Sequence, residues 1–138
     1  MKNKKVFVDA DALVALVRVK DGNHKKAKKI YKKLVSKGVD FIISNTSLYE
    51  VVTILSQRIS HDVSIRFLKE MRNGLNVVFV DKKREKNGVG VFGKQTSKNV
   101  SFCDCLNMAI MREFRIKEIF SFDKCYKTNG FVRIDVDG

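Results

Sequence analysis

Asp9, Glu50, Asp104 and Asp123 are the residues whose types and spacing could do chemistry together. Asp9 and Asp123 close short apolar runs, Val6-Phe7-Val8 and Ile119-Phe120-Ser121-Phe122. Glu50 and Asp104 fall in the expected first turns of helical patterns. In a parallel sheet, strand C-termini and the N-termini of the following helices share one edge, where ligands sit. The four acids are therefore expected to converge in one crevice. Carboxylates that close cannot all stay ionised without a cation. Their hard oxygens favour Mg²⁺ or Mn²⁺ over Zn²⁺. A cation so held acidifies a bound water and offsets charge building at phosphorus.

Each acid also has an ordinary structural reading. Ser47-x-x-Glu50 fits a capping box, in which Glu50 reaches back to the cap's backbone N–H. Asp104 resembles a cap partner of Ser101, and a helix dipole favours Asp in a first turn anyway. Asp9 can cap a helix, and Asp123 can start a turn. His24 and His61 stand alone and are expected at the surface. The cysteines, Cys103, Cys105 and Cys125, lack metal-finger spacing and read as small thiols in a reducing cytosol.

The elements that must position these acids follow from periodicity. Strands are expected near Lys5–Asp9, Asp40–Ser44, Asn76–Val80 and Glu118–Asp123, with a short edge strand at Val132–Val136. Helices are expected near Ala10–Val19, Asn23–Ser36, from Asn45–Ser47 through Ile59, Asp62–Asn73 and Ser101–Phe114. Ala27, Ile30, Tyr31 and Leu34 share one face of the second helix, whose other faces carry Lys25, Lys26, Lys28, Lys29, Lys32 and Lys33. Val63, Ile65, Phe67 and Leu68 are expected to pack inward from the fourth helix. Phe102, Leu106, Ala109, Ile110 and Phe114 should do so from the last. This order implies an α/β fold with a mainly parallel sheet and crossover helices, in a single domain over 1–138.

Between Asp81 and Asn99 the reading is a frayed helix or a mobile basic loop, because Gly88, Gly90 and Gly93 each cost a helix about 1 kcal/mol. Gly88-Val89-Gly90-Val91-Phe92-Gly93 matches GxGxxG, but without the strand-then-helix context of a dinucleotide site. Lys and Arg number 28 against 15 acids, a formal charge of +13, which favours polyanionic partners. With a basic surround, the natural substrate of a carboxylate-held cation is a phosphodiester. No run approaches the roughly 20 apolar residues of a membrane span. The basic start, Met1-Lys2-Asn3-Lys4-Lys5, leads into a strand too short for a signal-peptide apolar region, so no secretion signal is expected there.

The pattern resembles the PIN-domain ribonucleases, most closely VapC-type toxins of toxin–antitoxin pairs. The matching stretches are Val6 to Leu13, Ser44 to Val51, Val100 to Leu106 and Ile119 to Lys124, in family order. The resemblance implies a three-layer α/β/α fold and Mg²⁺- or Mn²⁺-dependent endonucleolytic cleavage of RNA. It implies Asp9, Glu50, Asp104 and Asp123 as both the metal ligands and the catalytic quartet, with Ser121 as a supporting hydroxyl. It also implies a cytoplasmic homodimer and an antitoxin protein as a further partner. Asp11 stands where the family usually has a small hydroxyl residue. It reads as a helix N-terminal charge in preference to an extra ligand. Two rivals stand beside this reading. Asp9-Ala10-Asp11 after a strand also fits a HAD-like phosphatase, although the later paired acids are missing. In the other, the acids only cap helices and the lysines make a non-catalytic RNA-binding or RNA-processing module.

Overall fold

The computed structural model describes residues 3–138; Met1 and Lys2 of the basic N-terminal run lie outside them. Strands β1 (Lys5–Val8), β2 (Asp40–Ser44), β3 (Leu75–Val78), β4 (Glu118–Phe120) and β5 (Val132–Arg133) form one sheet in the order β3-β2-β1-β4-β5. Every pairing is parallel, with Phe7 opposite Ile42 on one side and Ile119 on the other. Among the described residues, seven α-helices cover it: α1 (Ala10–Val17), α2 (His24–Ser36), α3 (Asn45–Arg58), α4 (His61–Glu70), α5 (Lys82–Gly93), α6 (Phe102–Glu113) and α7 (Lys124–Thr128).

Strand alternation divides the core in two. Val6, Val8, Phe41, Ile43 and Phe120 face α1 to α4, packing on Leu13, Ile30, Leu55 and Phe67. Phe7, Ile42 and Ile119 face α5 to α7, packing on Val91, Met108, Ile110 and Tyr126. Buried on both faces, the central strands are the continuous apolar runs seen in the sequence. The result is three layers, α/β/α. Among the described residues, no helix is long and apolar enough to cross a membrane.

Several elements depart from expectation. Segment Lys82–Gly93 is a continuous helix, not a frayed or mobile stretch. Asp81 caps it by accepting from the Arg84 N–H, and Arg84 pairs in fork fashion with Glu113 of α6 at 3.0 and 2.9 Å. Gly88 lets the two helices approach: a Cβ there would stand 2.4 Å from Leu106 Cδ2 and 3.3 Å from Leu106 Cα. The glycine is thus a packing residue and no part of a dinucleotide loop. The expected strand at Asn76–Val80 is Leu75–Val78 and only half-buried, because it lies at the sheet edge. β5 keeps two residues of the expected five, since Asp135 turns the chain with φ 56°. Leu68, Phe102 and Phe114 reach solvent instead of packing inward. α7 has no counterpart in the expected element order. His61 is exposed, while His24 is half-buried with its Nδ1 2.8 Å from the Ala15 carbonyl oxygen.

Gly88→Ala is expected to lower the melting temperature. Overpacking costs about 1–3 kcal/mol, against roughly 1 kcal/mol of helix propensity gained. Gly90 is the contrast, with nothing within 4 Å of an added Cβ, so Gly90→Ala should raise it. Thermal unfolding checks the pair; equal shifts would contradict the close contact at Gly88.

Candidate active site

The sheet order reverses between β1 and β4. From β1 the chain moves outward to β2 and β3, then returns to the other side of β1 as β4 and β5. In open parallel sheets, the crevice beyond the strand ends at such a switch point is where ligands bind. The acids gather there.

Asp9 leaves β1 directly and caps α1, being only 6% exposed. Its Oδ1 accepts from the Ala10 N–H at 2.9 Å, and its Oδ2 accepts from Ser121 Oγ at 2.9 Å. Burial, followed by the charges of Asp11 and Asp104, pushes its carboxyl well above the usual range. Asp11 lies in the first turn of α1. Its Oδ2 accepts the Phe122 N–H at 3.0 Å, while Oδ1 is buried without a hydrogen-bond partner. Burial is the main cause that pushes Asp11 up to about 6, and the Asp123 charge adds to it.

Asp123 follows β4 by three residues, since the strand ends at Phe120 and not at Asp123. It caps α7 by accepting the Cys125 N–H at 3.0 Å, and its own N–H donates to Ser121 Oγ at 3.0 Å. Ser121 therefore joins Asp9 and Asp123 across the switch point. Asp104 is buried in a true capping box with Ser101 at the start of α6. A carboxylate oxygen of Asp104, one of Asp123 and Cys125 Sγ lie within 4.8 Å of one another. The Cys125 thiol, held up by burial and then by Asp104 and Asp123, thus sits where its spacing in the chain gave no metal signal.

Glu50 sits differently from expectation. Ser44, not Ser47, caps α3 by accepting the Ser47 N–H at 3.1 Å, so Glu50 belongs to the second turn and caps nothing. It is exposed on α3, and partial burial followed by the Asp104 charge raises its carboxyl. The Cys103 thiol is raised by burial and then by Glu50, Asp104 and Asp9. Those three acids are therefore within electrostatic reach of the first turn of α6, although Asp9 and Glu50 lie outside the close group of Asp104, Asp123 and Cys125.

A buried polar network that sequence reasoning missed holds Asp104. Tyr126 Oη donates to Asp104 Oδ1 at 3.3 Å, and Asn107 Nδ2 donates to Tyr126 Oη at 3.1 Å. Asn107 Oδ1 accepts from Ser44 Oγ at 2.7 Å and Ser47 Oγ at 3.2 Å. The available signal was a lone amide inside the apolar stripe of α6.

Several carboxylates of one sign, stripped of water and partly unpartnered, are unfavourable unless a positive charge joins them. The donor set is dominated by hard oxygens, which fits a divalent cation. The family model of the PIN domain matches residues 6–131. The chain belongs to the PIN domain family. Within it, the chain is similar to the 23S rRNA-specific endonuclease VapC20 from two strains of Mycobacterium tuberculosis. Identity is 26% over 130 residues, covering 94% of this chain and 97% of that protein. The crystal structure of Mycobacterium tuberculosis VapC20, a sarcin–ricin-loop-cleaving toxin, superposes with a TM-score of 0.83 at 25% identity. That match covers 94% of this PIN domain and 98% of VapC20. PIN nucleases use divalent metal ions, in keeping with the acidic cluster at the switch point.

Proposed function

We propose that this PIN domain is a VapC-type endoribonuclease that hydrolyses RNA phosphodiester bonds with Mg²⁺ or Mn²⁺. Asp9, Asp104 and Asp123 would hold the cation, with Glu50 at the rim. The observation that carries this reading is the convergence of buried, like-charged carboxylates on the switch point of a PIN sheet. The bound cation would acidify water and offset charge on the phosphodiester oxygens. Ser121, donating to Asp9 and accepting from the Asp123 N–H, fixes the angle between those two acids. Tyr126 orients Asp104 from behind. Glu50, facing solvent, would take a proton or meet the incoming strand. The net charge of +13 would draw RNA to this mouth. The resemblance adds an antitoxin protein and a second copy of the chain as partners. Val89, Phe92 and Phe102, exposed on α5 and α6, offer apolar surface for such contacts.

The VapC20 relatives are named for cutting 23S rRNA, so intact ribosomes are the RNA to offer first. With Mn²⁺, the wild-type protein should release discrete 23S fragments, and Asp104→Asn should release none. p-Nitrophenyl phosphate should stay intact with both. Equal cleavage by both proteins would remove the site from the reaction. Turnover of the monoester would favour the phosphatase, and RNA binding without cleavage the non-catalytic module.

A further inference from the structure

Asp123 depends for its position on a link with no ladder of its own. β4 ends at Phe120, and Ser121, Phe122 and Asp123 connect it irregularly to α7. Both backbone groups of Phe122 are gripped by side chains from elsewhere. Its N–H donates to Asp11 Oδ2 at 3.0 Å, and its carbonyl oxygen accepts from Arg133 Nη1 at 2.9 Å. Arg133 comes from β5 and is only 7% exposed. Its opposite edge is saturated by Asp137, with Nη2 to Oδ1 at 2.7 Å and Nε to Oδ2 at 3.1 Å. The Arg133 backbone N–H also donates to Asp137 Oδ2 at 2.9 Å.

A buried ion pair of this kind is weak grounds for stability, because desolvation offsets most of the attraction. A guanidinium does have one property that an apolar pair lacks. Its donors are fixed in a plane, so anchoring one edge aims the other. Here the aimed donor meets the carbonyl between the two residues that carry Ser121 Oγ and the Asp123 carboxylate. Arg133 also lies within electrostatic reach of Asp123 and Asp11.

We propose that Arg133 and Asp137 are positioning residues. With Asp11, they clamp Phe122 and so hold the Asp123 carboxylate at the separation from Asp104 that a shared cation requires. This rests on the metal-dependent reading above. Groups that orient metal ligands from behind commonly carry a 10–100-fold share of metal affinity or activity, by roughly that measure.

The test uses Asp137→Asn and the double variant Arg133→Met with Asp137→Leu. Removing both charges together keeps a foldable core, since apolar replacement of a buried pair is often neutral or stabilising. Lys33→Gln, which breaks the exposed Lys33–Asp135 pair of the neighbouring turn, is the control. Mn²⁺ affinity is read by calorimetry, and amide exchange at Phe122 and Asp123 by NMR, well below each melting temperature. The clamp predicts Mn²⁺ affinity lower by roughly 10–100-fold in both charge-pair variants. It also predicts faster exchange at both amides and no change in the control. A folded double variant with wild-type Mn²⁺ affinity would overturn the clamp. If the wild-type protein itself takes up no Mn²⁺, the metal-dependent reading fails, and amide exchange alone decides. Unchanged protection at Phe122 and Asp123 would then refute the clamp, and lost protection would uphold it.

Discussion

In Mn²⁺ buffer, Asp9→Asn is expected to lower RNA cleavage at least about a thousandfold while raising the melting temperature of the metal-free protein. The two effects have one cause. Asp9 is buried beside Asp11 and Asp104, and burial above all holds its carboxyl well above the usual range. Its negative charge is therefore unfavourable in the fold without a cation and needed by the fold with one. An amide of the same shape keeps an acceptor for Ser121 or Ala10 but supplies no charge. A cation at such a site supplies several kcal/mol of transition-state stabilisation, and each ~1.4 kcal/mol is tenfold in rate. A variant that merely unfolded would lose activity and melt lower. Initial rates on ribosomes and thermal unfolding in chelator, measured on one preparation, separate the cases. Activity retained within about tenfold would remove Asp9 from the chemistry.

The second large effect is a change in the sign of the pH dependence on adding metal. Asp11 is raised from an ordinary 3.8 to about 6, with burial the main cause. Between those values the folded state binds more protons than the unfolded state, so stability falls as pH rises through the window. For Asp11 alone, two pKa units correspond to about 3 kcal/mol at most. Asp9 moves in the same direction. Asp137 and Glu113 are lowered by hydrogen bonds from Arg133 and Arg84, so what they contribute is lost only at more acidic pH. They do not mask the trend. Metal affinity runs the other way, because carboxylate ligands must be deprotonated to bind. At a hundred times its dissociation constant, Mn²⁺ adds about 2.7 kcal/mol, or roughly 10 °C for a domain of this size. The metal-free melting temperature should therefore fall between about pH 4 and pH 6, and the Mn²⁺-induced gain should grow over that range. A metal-free curve that rises with pH, together with no Mn²⁺ shift, would contradict the account.

Asp9 was legible in the sequence because Val6-Phe7-Val8 is buried on both faces, and such a strand can only end at the sheet edge. Asp104 was legible for a similar reason: Ser101 and Asp104 form a local box that requires nothing beyond the next turn. The failures were non-local. Ser44 and Ser47 are both plausible caps for α3. The choice depends on Asn107, sixty-odd residues away, which takes both hydroxyls. Gly88 of α5 reads as a helix breaker because its compensation lies in Leu106 of α6. Val132, Ile134 and Val136 alternate like a strand, yet Asp135 turns there and sends Asp137 back onto Arg133. A period of two cannot distinguish a strand from a tight turn carrying an ion pair. Tyr126 and Cys125 reach the site only because α7, too short to show a period, places them under Asp104.

The central claim is that one divalent cation joins carboxylates from the end of β1, from α6 and from the link after β4. Anomalous diffraction at the manganese edge, from crystals of the wild-type protein soaked in Mn²⁺, tests it directly. The account predicts a peak among Asp9, Asp104 and Asp123. Full manganese signal elsewhere, with that crevice empty, would contradict it.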